Sequence, residues 1–81
     1  FKDLVVFPNP TSSNITYSLP TGSVSSDYFI EVFDNVGALI YSAKKSGGAV
    51  IQSFKEYDSG IYTLQVTNNK VQYMQKIIVT K

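Results

Sequence analysis

Cysteine, histidine and tryptophan are all missing from the sequence. Without cysteine no disulfide can staple the chain, so a fold this small must hold by packing and backbone hydrogen bonds. The same gap removes thiolate nucleophiles and sulfur-ligated metals. The lack of histidine removes the usual general base and the commonest imidazole ligand. Arginine is absent too, and seven lysines against six carboxylates leave a net charge of +1. That balance is far from the basic surplus that phosphate backbones demand, so nucleic acid is not an expected partner. No apolar run reaches membrane-spanning length, and Lys2 and Asp3 follow Phe1 at once, so neither a signal peptide nor a membrane-inserted segment is expected. The chain reads as a piece cut from something longer.

What is present is strand and turn chemistry. With 81 residues there is room for one domain, residues 1–81, around one core. Tyr and Phe make up 14% of it and, with many Val, Ile and Thr, form short runs separated by Pro, Gly, Ser, Asn and Asp. Seven strands are predicted. The first, Leu4 to Phe7, is stopped by Pro8 and Pro10, which cannot donate to a ladder. The second, 14 to 19, alternates with Ile15, Tyr17 and Leu19 on one face. After a Ser-rich loop over 20 to 27, the third runs from 28 to 33 with Tyr28, Ile30 and Val32 on one face. Asp34-Asn35-Val36-Gly37 then turns into a strand from Leu39 to Ala43. The run 44 to 48, Lys-Lys-Ser-Gly-Gly, is predicted to make the next reversal, into Ala49 to Phe54, a candidate edge strand. The last two strands, Ile61 to Thr67 and Val71 to Thr80, are joined as a hairpin by Asn68-Asn69-Lys70. Strand number and spacing give an all-β, immunoglobulin-like sandwich of about seven antiparallel strands.

The run 58 to 62, Asp-Ser-Gly-Ile-Tyr, sharpens the fold class, because it has the spacing of the tyrosine corner that opens the sixth strand of such sandwiches. Tyr62 is therefore expected to bond back to upstream backbone. Leu64, two residues on, stands where antibody domains carry a disulfide cysteine.

Catalysis finds little to work with. The six carboxylates fall on different loops and strands with no nucleophile or imidazole beside them, so no catalytic residue and no cofactor is assigned. Asp34, Asn35 and Asp58 are hard oxygen ligands, but they lack the spacing of a calcium loop, and turn chemistry explains the first two without an ion. A rival function is a non-catalytic adhesion or carbohydrate-binding module, with Tyr28, Phe33, Tyr41 and Tyr73 as the candidate stacking platform. Asn14-Ile15-Thr16 matches an N-glycosylation pattern that chance supplies often in Ser- and Thr-rich chains.

Four ordered motifs point elsewhere. Val5-Val6-Phe7 leads into Pro8-Asn9-Pro10-Thr11-Ser12. Ile30 to Phe33 ends in Asp34-Asn35-Val36-Gly37. Gly60-Ile61-Tyr62 opens an alternating strand, and Lys76-Ile77-Ile78-Val79-Thr80-Lys81 closes the chain. Together, from Leu4 to Lys81, they resemble the type A C-terminal sorting domain of proteins exported by the bacterial type IX secretion system. Tyr57 departs from that pattern, standing where the family usually has Leu, and Gly47-Gly48 matches only loosely.

The resemblance implies the tail of a larger exported protein, with cargo N-terminal to it in the same precursor. It implies recognition by the outer-membrane translocon and its shuttle protein, then removal in many members by a surface sortase, with delivery to the cell surface or medium. The motif residues Pro8, Asn9, Pro10, Asp34, Gly37, Gly60, Tyr62, Lys76, Ile77, Ile78, Val79 and Lys81 are the candidates for recognition. Strand addition along an exposed Val71 to Lys81 is the expected mode.

Overall fold

The computed structural model describes residues 5–19, 27–68 and 72–81. Seven strands form: β1 (Val6–Phe7), β2 (Asn14–Leu19), β3 (Tyr28–Phe33), β4 (Leu39–Lys45), β5 (Gly48–Ser53), β6 (Gly60–Thr67) and β7 (Gln72–Val79). They build two sheets, β1-β2-β5 and β4-β3-β6-β7, packed as an immunoglobulin-like sandwich. All named strand pairs are antiparallel.

The alternation read from the sequence sets the core. Ile15, Tyr17 and Leu19 of β2 and Tyr28, Ile30 and Val32 of β3 all point inward and are buried. From β6 and β7 come Tyr62, Leu64, Val66, Ile77 and Val79, and Leu64 fills the space between the sheets where antibody domains carry the cysteine. Phe54, just past β5, is fully buried and stacks edge-on against Tyr57 and Tyr62 with ring centroids 5.4 and 5.7 Å away.

Two expectations need correction. The first strand is shorter than expected, because pairing with β2 is confined to Val6 and Phe7 ahead of Pro8; Leu4 lies outside the described residues. The segment around 44 to 48 is not a hairpin. β4 continues to Lys45 beside Tyr28, and Ser46 and Gly47 then carry the chain across to the other sheet, where Gly48 pairs with Leu19. The positive φ of Gly47 (109°) and Gly48 (91°) lets the backbone make that step in so few residues. β5 is an edge strand as expected. The loop 20 to 26, Asn69, Lys70 and Val71 lie outside the described residues, while the β6 and β7 pairing that they join is formed in full.

Candidate functional site: the last strand and the segment clipped to it

β7 lies at the edge of the four-stranded sheet, as strand addition requires. Its side chains divide by face. Ile77 and Val79 are buried in the core, while Lys76 and Ile78 face out. Backbone groups along a strand also alternate in direction, so if Ile78 points away from β6, then Gln72, Met74, Lys76 and Thr80 do too.

That outer edge is not free along its whole length. The Asn9 carboxamide accepts the Ile78 N–H at 2.9 Å and donates to the Lys76 carbonyl at 2.8 Å. One side chain thus supplies the donor and acceptor that a neighbouring strand's backbone would supply. Thr11 continues the pairing, its N–H donating to the Ile78 carbonyl and its carbonyl accepting the Thr80 N–H, both at 2.8 Å, as a parallel bridge opposite Val79. Thr11 is itself buried, and its hydroxyl donates to the Asn14 carbonyl at 2.7 Å. The segment between β1 and β2 therefore leaves its own sheet and clips the C-terminal half of β7. The Val71 to Lys81 edge expected to be open is covered from Lys76 onward, and the open part is Gln72 to the Lys76 N–H. The Phe7–Pro8 and Asn9–Pro10 peptide bonds flanking Asn9 are cis.

The remaining motif residues are placed by turns and the corner. Asp34 Oδ1 accepts the N–H groups of Val36 at 3.0 Å and Ala38 at 2.9 Å, and Gly37 takes φ of 86°, so this motif is a turn device. Tyr62 donates its hydroxyl to the Asp58 carbonyl at 2.7 Å, which is the expected tyrosine corner. Tyr57, the residue that departs from the sorting-domain pattern, stacks on the Tyr62 ring at 5.5 Å, so an aromatic shields the corner. Burial, helped by Glu56, Tyr41 and Tyr62, pushes the Tyr57 hydroxyl above the ordinary phenol value. Burial, with Asp58 and Asp34, does the same for Tyr62. Gly60 needs no special conformation, since a Cβ there would meet only the Tyr62 ring at 3.8 Å. At the chain end the Lys81 N–H donates to Ser59 Oγ at 3.0 Å and its ammonium donates to the Lys55 carbonyl.

The structure brings Pro8 to Pro10 and Lys76 to Val79 together at one edge, and Asp34, Asp58 and Gly60 to Tyr62 at one end of the sandwich. Asp34, Asn35 and Asp58 line a common depression there, but Asp34 Oδ1 is already committed to the turn. The four aromatics of the carbohydrate reading do not share an exposed face. Tyr28 is buried, Tyr41 and Tyr73 pack against the core, and only Phe33 belongs to the outer face. Sequence reasoning missed the contact of Asn9 with β7. The signal for it is an amide side chain between two prolines, which has no local strand to join.

Fold and edge together define an immunoglobulin-like module whose distinctive feature is a strand edge tied to the opening segment. Comparison with known proteins makes this specific: the pattern of the secretion system C-terminal sorting domain matches residues 5–80, and the chain belongs to that family. It is a sorting signal of the type IX secretion system, which directs export to the cell surface or medium. Among curated proteins, the chain is 36% identical over 77 residues to the ulvan lyase NLR42 of Nonlabens ulvanivorans, covering 91% of this chain and 14% of that protein. It is 32% identical over 80 residues to an endo-acting ulvan lyase of Formosa agariphila, covering 96% of this chain and 15% of that protein. The chain thus spans about one-seventh of the length of either relative. The similarity to enzymes is confined to a tail-sized stretch. No helix among the described residues is long and apolar enough to cross a membrane.

Proposed function

We propose that residues 1–81 act as one non-catalytic sorting domain, with an exported cargo N-terminal to them in the precursor. The outer-membrane translocon and its shuttle protein read the domain, and a surface sortase then removes it. The β7 edge and the side chains on its outer face carry the recognition. The observation that supports this most is the division of labour along β7: Ile77 and Val79 hold the core, while Lys76, Ile78 and Lys81 stay exposed at the end of the chain. A receptor strand pairs first with Gln72 to Lys76 and extends further only by displacing the Asn9 clip.

Deleting Ile77 to Lys81 tests this poorly, because it also removes two core residues. Changing only outward groups, Lys76→Glu with Ile78→Ser, separates recognition from folding. The expected result is a folded domain and a several-fold fall in exported cargo. Unchanged export by this folded variant would overturn the role given to the outer face of β7.

A further inference from the structure

A sandwich of this size has four strand edges, and edges left open are templates for pairing with other chains. Three are blunted. β1 is two residues long and ends at Pro8. β4 carries Lys44 and Lys45 and an irregular register at Val32 and Phe33. β7 carries Lys76 and the Asn9 and Thr11 clip. β5 has none of these devices: Gly48 to Ser53 has no charge and no proline, and Ile51 is 72% exposed.

The direction of its backbone groups follows from two bonds. The Phe54 N–H donates to the Ser13 carbonyl, and the Asn14 carbonyl faces the opposite side, toward Thr11. Alternation then points Gln52 and Val50 at β2 and leaves the N–H and C=O groups of Ala49, Ile51 and Ser53 pointing outward. The space they face is shaped. The clip aligns the two sheets on the β1 and β7 side, and the second sheet has one strand more, so β4 projects beyond β5. Burial reflects this step: β3 buries Tyr28, Ile30 and Val32, whereas no residue of β4 is buried. The result is a groove of about 360 Å³ lined by Tyr41, Ile51, Gln52, Ser53, Glu56 and Tyr57. The Tyr17 hydroxyl, buried and without a hydrogen-bond partner among the described residues, does not line the groove but lies within electrostatic reach of Tyr41, which does.

We infer that this groove takes a single extended segment of another protein, which adds to β5 as the strand missing from the three-stranded sheet. Its backbone pairs with Ala49, Ile51 and Ser53 while it lies over Tyr41. A second copy of this domain does not fit, because two-fold pairing through β5 would drive the partner's β4 into the space that β3 fills. The chemistry of the segment follows from the lining. Glu56 is the one charged side chain there and has no cation partner among the described residues, so a Lys or Arg lies beside it. This goes beyond export, and the groove lies on the side of the sandwich opposite to β7.

The test uses a short random peptide display library selected on the folded chain, then exchange mapping of the chain with the enriched peptide. Enriched peptides are expected to alternate and to carry a basic residue at one end, and to slow amide exchange at Ala49, Ile51 and Ser53. Ile51→Pro removes an outward N–H that the fold does not use and should weaken binding about tenfold or more. Glu56→Gln should weaken it by a smaller factor. No enriched binder, equal binding to a folded Ile51→Pro variant, protection at Gln72 to Lys76 instead, or self-association through β5 would each overturn the inference. If Ile51→Pro does not fold, exchange mapping on the unmodified chain decides alone.

Discussion

Asn9 and Ile78 are 69 residues apart in the chain and joined by one hydrogen bond of 2.9 Å, from the Ile78 N–H to Asn9 Oδ1. Because the same amide also donates to Lys76, the opening motif and the closing motif form one structural unit. A motif that looks like two separate signals in the sequence acts as a clamp on a single strand. The clamp covers an otherwise open, partly apolar edge, which limits unwanted pairing.

Removing the clamp should loosen the strand without unfolding the domain. Asn9→Ala loses two partly solvated hydrogen bonds, and a loss of about 1–2 kcal/mol is expected in chemical denaturation. Asn9→Asp keeps the acceptor for Ile78 but sets a carboxylate against the Lys76 carbonyl. It should be no better than Ala, and amide exchange at Ile78 and Thr80 should quicken in both variants.

The tyrosine corner has its own test. Tyr62→Phe keeps the stacking on Tyr57 and Phe54 but removes the bond to the Asp58 carbonyl, for an expected loss of about 1–2 kcal/mol. Ile77→Ala, which opens a cavity in the core, should cost about 2–5 kcal/mol. Ile78→Ser, on the outer face, should cost well under half as much, as denaturation midpoints will show.

Tyr17 gives the opposite sign. Its hydroxyl is buried without a partner among the described residues, so Tyr17→Phe should stabilise the isolated domain by about 1 kcal/mol.

The same residue governs alkaline stability. Burial first, and the Tyr41 phenol second, raise the Tyr17 hydroxyl far above the ordinary phenol range, and burial also raises Tyr57 and Tyr62. The folded values exceed the unfolded value of about 10, so these tyrosines hold their protons longer in the folded state. Below about pH 10 their ionisation does not affect stability, and stability falls as pH rises from there through the folded values, because the unfolded chain gives up these protons first. Denaturation midpoints measured across that window should fall, and less steeply in Tyr17→Phe.

Legibility in the sequence followed the range of the interaction. β2 and β3 fall on the expected residues because Ile15, Tyr17 and Leu19, and Tyr28, Ile30 and Val32, alternate strictly. The corner was legible because Tyr62 and Asp58 are only four residues apart. The change of sheet after Lys45 was not, since Lys-Lys-Ser-Gly-Gly fits a hairpin as well as a crossover. The clip on β7 was not legible either, because its partners are distant and an Asn between prolines carries no periodicity. The candidate aromatic platform failed because composition counts rings without showing which way they face.

Export is the direct readout of a type IX sorting signal. A passenger protein fused ahead of Phe1 is expressed in a bacterium with this secretion system, and its location is measured by protease accessibility on intact cells. Passenger is expected at the surface or in the medium. Retention in the periplasm, under conditions where a native sorting domain exports the same passenger, would contradict the sorting role.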